Sequence, residues 1–221
     1  MELYARPLLT ETELNAIWQL LEGATWERHA SVSNVYLDAY QKNSEMAECE
    51  NKREIYRIVM DAIGSDDGFR DRVFPKQSTY AIVSKTEVGQ GFKTHHDLPA
   101  NGDFSTTVFL SDPATYEGGQ LAMLLGGEER LFALPAGHAL TYNTGITHCV
   151  KEVTQGTRYA IVFWTTSLIK DLRWREILGD LRRAKGLLPL THGYDLAATE
   201  NDPRFLLQGL ENKIVRYFIN G

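Results

Sequence analysis

Thr94-His95-His96-Asp97 is the stretch of this sequence in which residues able to do chemistry are most concentrated. On a strand, residues two apart share a face, so His95 and Asp97 project together while His96 points away. A His and a carboxylate on one face are two of the three ligands of a facial triad. A His from a distant strand would complete it, and His148, in Ile146-Thr147-His148-Cys149-Val150, is placed to do so. Two neutral imidazoles and one carboxylate suit Fe(II) and leave one octahedral face open for O2 and a cosubstrate. A single negative ligand keeps the centre cationic and able to hold an anionic chelator.

Arg158 adds an independent signal. It follows a Gln155-Gly156 turn and opens the run Thr157–Trp164, in which Arg158, Ala160, Val162 and Trp164 share a face. An inward-pointing Arg among apolar neighbours needs an anionic partner. The far carboxylate of 2-oxoglutarate fits, because a planar guanidinium can clamp it with two parallel charge-assisted hydrogen bonds. The expected catalytic residues are therefore His95, Asp97, His148 and Arg158, the first three as metal ligands. Singly, each has an ordinary explanation: His-x-Asp is a common spacing, His148 could be a core histidine, and Arg158 a solvated strand-end charge. Their joint occurrence in this order favours the site.

The other candidates are weaker. His96 faces away and is assigned an outer or exposed position. His29, His138 and His192 have no carboxylate two residues on, so they read as structural or exposed. Asp103 is a rival carboxylate, but it follows a turn at Asn101-Gly102 and has no His two residues before it. Cys149 should point opposite to His148 and reads as a small buried hydrophobe.

The elements that must position these residues show in the hydrophobic period. Thr10-Glu11-Thr12-Glu13 is a capping box, followed at helical spacing by Leu14, Ile17, Leu20 and Leu21. Ile55, Ile58, Val59 and Ile63 give a second helix, stopped by Gly64-Ser65-Asp66. The segment 25–51 is polar and irregular. Between about residues 79 and 164 the period shortens: segments near 79–84, 104–110, 120–125, 129–134, 138–142, 147–151 and 157–164 are rich in Val, Ile, Phe, Tyr and Thr, with turn residues between them. Short strands with short links favour antiparallel pairing in a jelly-roll sandwich or barrel. After Ser167 the helical period returns, with Asp171 and Asp202-Pro203 as helix starts.

The chain has 221 residues, 43% of them hydrophobic, enough for one well-buried core with helical additions. We expect a single domain over 1–221: a helical N-terminal part at 1–75, a jelly-roll core at 76–167 and C-terminal helices at 168–221. The net charge of −6 argues against a nucleic-acid partner. Two cysteines without a C-x-x-C pair argue against disulfides or a thiolate zinc site. No apolar run is long enough to cross a bilayer, and the first ten residues lack a signal peptide's pattern. A cytoplasmic location without membrane contact is the expectation.

Thr107-Val108-Phe109-Leu110-Ser111-Asp112-Pro113, followed by Tyr116-Glu117-Gly118-Gly119-Gln120-Leu121, resembles the PKHD-type hydroxylases, relatives of prolyl hydroxylases among the Fe(II)/2-oxoglutarate oxygenases. Leu134-Pro135-Ala136-Gly137, Thr147-His148-Cys149-Val150, Thr154, Gly156 and Arg158 continue the likeness. So do Trp164, Ser167–Asp171 and Arg175–Leu178, and the likeness is strongest from about 92 to 180.

The resemblance implies a mainly β fold with flanking helices, a double-stranded β-helix (jelly roll) core between N-terminal and C-terminal helices. It implies Fe(II), 2-oxoglutarate and O2 as reactants, L-ascorbate as a reductant for the iron, and hydroxylation of an unactivated C–H bond with release of succinate and CO2. The metal ligands carry over to His95, Asp97 and His148, and the 2-oxoglutarate anchor to Arg158. Thr86, Phe109, Leu121 and Trp164 are expected beside the cosubstrate.

Three places depart from the family pattern: Lys85-Thr86 stands where Arg-Tyr is usual, His96 where an apolar residue is usual, and the Leu98–Asp103 connection is short. Rival readings are a jelly-roll hydrolase with another metal and a binding module with a vestigial site. The substrate is a small molecule or a peptidyl group. The last helices either cap the barrel or form a homodimer contact.

Overall fold

The computed structural model describes residues 3–28, 43–79, 81–98, 100–189 and 202–220. Strand β1 (Leu3–Pro7) and helix α1 (Glu11–Leu21) open the chain, followed by strands β2 (Trp26–Arg28) and β3 (Ser44–Met46) and helices α2 (Glu50–Ser65) and α3 (Asp67–Val73). Next come β4 (Pro75–Ser78), β5 (Ile82–Glu87), β6 (Phe92–His95), β7 (Phe104–Phe109) and β8 (Tyr116–Gly118). Then follow β9 (Leu121–Leu125), β10 (Glu128–Phe132), β11 (His138–Asn143), β12 (His148–Val150) and the long β13 (Val153–Ser167). Helices α4 (Leu172–Gly186) and α5 (Pro203–Asn220) end the described chain.

Helix starts follow their local chemistry. Thr10 and Glu13 bond reciprocally as a capping box, and Asp171 accepts from the backbone N–H groups of Arg173 and Trp174. Asp66 both ends α2 and begins α3, where its carboxylate accepts from Phe69 N. The same carboxylate pairs with the buried Arg6 of β1, tying the N-terminal strand to the helical layer. A stop signal in the sequence is thus also a start.

All strand-to-strand ladders are antiparallel. The larger sheet runs β1-β11-β7-β13-β5-β3-β2, with β4 and β8 attached to the ends of β13. The smaller sheet runs β10-β9-β12-β6. Phe109, Leu140 and Tyr142 of the larger sheet cluster with Leu121, Met123 and Leu125 of the smaller one, so one core lies between the sheets. Ile17 and Leu21 of α1, Ile55, Val59 and Ile63 of α2, and Phe69 of α3 cover the opposite face of the larger sheet, against Val83, Val108, Ile161 and Phe163. This is a jelly-roll core with flanking helices.

Strand alternation assigns the faces. Along β13, Tyr159, Ile161 and Phe163 belong to the helical side, which leaves Arg158, Ala160, Val162 and Trp164 on the side facing the smaller sheet. Phe163 is fully buried. Phe163→Ala should therefore destabilise the fold by about 3–5 kcal/mol, read from the denaturant midpoint at unchanged m-value.

The structure amends the element list read from sequence. Among the described residues, the chain before Pro75 holds three strands besides its helices, and the strand expected near 79–84 lies at 82–87. Three of the additional strands, β2, β3 and β8, are three residues long, too short to establish a period. β1 ends in a proline that only an edge position tolerates, and it sits at the sheet edge. Most of segment 25–51, including His29, lies outside the described residues, as does His192.

Candidate active site

Residues His95, Asp97 and His148 each present one donor atom, and these atoms lie within 4.8 Å of one another. Register explains the pairing of the imidazoles: β12 is hydrogen-bonded to β6, and His148 stands directly opposite His95. Their ring centroids are 4.3 Å apart. β6 ends at His95, so Asp97 is in the segment after the strand rather than on it. It reaches the same point nonetheless, with a carboxylate oxygen 3.7 Å from Nε2 of each histidine.

The surroundings prepare these groups for a cation. In both histidines Nδ1 lies 2.8 Å from a backbone carbonyl oxygen two residues earlier, Lys93 for His95 and Ile146 for His148. That bond fixes the proton on Nδ1 and leaves the Nε2 lone pair for a metal. Burial, reinforced by the neighbouring His148, pushes the His95 pKa down, so its imidazole is neutral at neutral pH. Asp97 accepts a hydrogen bond from Ser105 Oγ on β7 of the larger sheet, which orients the carboxylate from outside. Ser105→Ala should lower Fe(II) affinity about 10- to 100-fold without unfolding the protein, as measured by anaerobic calorimetry.

On the outer side, His96 Nε2 and Thr147 Oγ1 are 2.7 Å apart, bridging the two ligand-bearing segments. His96 thus points away from the triad, as its place between the ligands requires. Cys149 is partly exposed rather than buried, on the outer face of the smaller sheet. Asp103 accepts from Ser167 N and Lys170 Nζ, both at 2.7 Å, and has no part in the triad.

Arg158 is 3% exposed, and its Nε has no hydrogen-bond partner. Among the described residues no carboxylate lies within ion-pairing distance of it. Burial lowers its pKa, and the neighbouring phenols of Tyr116 and Tyr142 oppose that shift. Its guanidinium carbon is 5.5 Å from the centroid of the Phe109 ring. A buried guanidinium stays charged and needs an acceptor, so the site is built for an anion. Thr86, 1% exposed, is its register partner on β5. On the next row in register, Ser84 and Ala160 are small and leave room beside the guanidinium.

Tyr142 connects the two halves. Its ring meets that of His148 edge-on at 5.1 Å, and its hydroxyl feels both Asp97 and Arg158. Burial raises its pKa strongly, keeping it a neutral hydrogen-bond donor. Leu121 packs with Phe109 and Tyr142 between the sheets. Trp164 stands opposite Ser105, the residue that holds Asp97, and its buried indole N–H has no partner. Phe109, Trp164 and Thr86 thus lie on the face that carries Arg158, and Leu121 faces it from the smaller sheet. Ser105, Tyr142 and Tyr116 were not singled out from the sequence; only the strand register brings them to this place.

Two imidazoles and one carboxylate, with an anion-seeking Arg on the facing sheet, suit iron(II) and a dicarboxylate. The comparisons with known proteins agree. Residues 80–166 match the model of the 2OG-Fe(II) oxygenase superfamily. A PKHD-type hydroxylase of Thermosynechococcus vestitus is 34% identical over 79% of this chain and 82% of its own length. One from Paracoccus denitrificans is 32% identical over 82% and 87%.

Among solved structures, a Pseudomonas putida prolyl-4-hydroxylase matches with TM-score 0.55 at 14% identity, over 75% of this chain and 92% of its own. A Trichoplax adhaerens prolyl hydroxylase, in complex with a peptide fragment of hypoxia inducible factor, matches with TM-score 0.58 at 16% identity, over 79% and 86%. The last two matches show the shared fold. The chain belongs to the PKHD-type hydroxylases. It is a 2-oxoglutarate-dependent dioxygenase that uses Fe(II), 2-oxoglutarate and O2. No helix among the described residues is long and apolar enough to cross a membrane.

Proposed function

We propose that His95, Asp97 and His148 hold the Fe(II), that Arg158 anchors the distal carboxylate of 2-oxoglutarate, and that the product is a hydroxylated small molecule or peptidyl group. The observation that carries the reading is the pairing of a three-donor cluster with a buried Arg that has no carboxylate of its own. When bound, the iron and 2-oxoglutarate supply oxygen activation: one oxygen atom goes to succinate as CO2 leaves, and the other to the substrate C–H bond.

The chain's own residues do the rest. The carbonyls of Lys93 and Ile146 keep both imidazoles in the ligating tautomer. Ser105 aims the Asp97 carboxylate. Phe109, Leu121 and Tyr142 keep the space between the sheets apolar, which strengthens the attraction between Arg158 and a carboxylate. Thr86 and Trp164 border the cosubstrate, and ascorbate serves as the reductant that keeps the iron ferrous. A metal-bound water in a hydrolase needs no buried carboxylate clamp, so Arg158 speaks against that rival.

The choice of substrate is assigned to the segment 25–51 and the Leu98–Asp103 connection, the latter because it follows Asp97 directly in the chain. Helices α4 and α5 expose Ile177, Leu206, Leu210 and Tyr217, which favours the homodimer reading of these helices over a purely internal cap. Succinate release across a panel of peptides, amino acids and small metabolites tests the function, with mass spectrometry for one added oxygen. Succinate formed in step with a product 16 Da heavier supports it. Hydrolysis without succinate overturns it.

A further inference from the structure

Helices α3 and α4 meet where Gly179 of α4 faces the α3 backbone. A Cβ built on that glycine would sit 3.0 Å from the carbonyl oxygen of Asp71. Around this contact lies a cavity of about 360 Å³, lined by Arg72 of α3 and by Arg175 and Gly179 of α4. Arg175 is 6% exposed, and its guanidinium carbon is 4.8 Å from the centroid of the Phe104 ring. Phe104 belongs to the core on the helical side of the larger sheet, so this arginine lies on the opposite face from Arg158. The cavity is separate from the candidate active site.

The charges around it do not cancel. Asp71 is paired with Arg182 at 3.1 Å, and Asp180 with Arg183. Arg175 gives Nη1 to the carbonyl oxygens of Ile169 and Lys170, at 2.8 and 3.2 Å, while its buried Nε has no partner. Arg72 gives Nη1 to the carbonyl oxygen of Gly68 at 3.1 Å, and its guanidinium carbon lies 4.4 Å from the centroid of the Tyr4 ring. Among the described residues, no carboxylate lies within ion-pairing distance of either guanidinium. Glu176 also borders the cavity, but it is exposed, so water screens its charge.

Two cations from two helices, one of them almost out of reach of water, call for an anion between them. A phosphate monoester brings up to two negative charges and three acceptor oxygens, set tetrahedrally so that separate donors reach different ones. A monocarboxylate brings one charge and two coplanar oxygens, enough for a single guanidinium fork. We propose that the cavity between α3 and α4 is a binding site for a small phosphorylated molecule, whose phosphate is held by Arg72 and Arg175.

Methyl phosphate is the probe. It is titrated calorimetrically into the anaerobic protein loaded with Fe(II) and 2-oxoglutarate, at constant ionic strength, so that Arg158 is already engaged. One equivalent should bind in the submillimolar range. Arg72→Gln and Arg175→Gln should each weaken it about 10- to 100-fold, the range for hydrogen bonds to a charged group. Arg130→Gln, at an exposed arginine of β10, should leave it unchanged. Circular dichroism checks that each variant folds; if the variant at the buried Arg175 does not, the half-buried Arg72 decides alone. No binding in wild type, binding that survives either substitution in a folded protein, or equal weakening by Arg130→Gln overturns the proposal. Acetate should bind at least about tenfold more weakly than methyl phosphate, because it lacks the second charge. Equal affinity for the two overturns the choice of phosphate.

Discussion

Arg158→Gln is expected to weaken 2-oxoglutarate binding by about 30- to 3000-fold while leaving Fe(II) binding intact. The estimate follows from the cost of truncating one partner of a buried, hydrogen-bonded charge pair, about 2–5 kcal/mol, at 1.4 kcal/mol per tenfold. Glutamine keeps part of the volume and two donor hydrogens but removes the charge and the planar fork. The apo-protein should not lose stability and has reason to gain some, because the arginine is 3% exposed, lacks a partner for Nε and has its pKa lowered by burial. Loss of cosubstrate affinity together with a higher melting temperature would mark Arg158 as a binding residue whose burial is a cost to the fold. Thermal melts and calorimetry on the same preparations read both quantities.

Asp97→Ala is expected to abolish iron binding in the micromolar range, a loss beyond the 10- to 100-fold that removal of an outer hydrogen-bond partner costs. Asp97 is the only carboxylate of the cluster, and its oxygens lie 3.7 Å from both imidazoles. Without it, two neutral histidines face each other with no anionic ligand to offset the charge of the ion. The fold should survive, because the ladder that pairs His148 with His95 does not depend on the Asp97 side chain. Metal analysis after anaerobic loading, with circular dichroism as the control for folding, gives the answer.

The triad was legible because two of its ligands are neighbours in sequence and the third lies in a short apolar strand. The reason given for the convergence needed amendment: β6 stops at His95, and Asp97 reaches the centre from the following segment with Ser105 aiming it. The inward place of Arg158 was legible because the run Thr157–Trp164 is long enough to show which residues alternate, although β13 starts earlier, at Val153, and runs through the expected turn at Gln155-Gly156. Tyr142, Ser105 and Tyr116 were not. Each is brought to its place by a strand register that no local pattern encodes, and Tyr116 sits in a three-residue strand.

The jelly-roll reading followed from many short β segments with turns between them, and the helix caps followed from Thr10, Asp171 and Asp202. Helix α3 escaped notice because its seven residues hold only two buried apolar positions, Phe69 and Val73, and its cap Asp66 reads equally well as the end of α2. β1 carries a buried Arg6 where a core strand would carry a hydrophobe, and only the ion pair with Asp66 makes that burial sensible.

The most direct measurement is an anaerobic titration of the apo-protein with Fe(II), followed by 2-oxoglutarate, in wild type and Arg158→Gln. In wild type, a visible charge-transfer band should appear only after both have been added, saturating at one equivalent of each. In the variant, the same band should need far more 2-oxoglutarate. No band in wild type, or identical titrations in the two proteins, would contradict the assignment of the iron and cosubstrate to these residues.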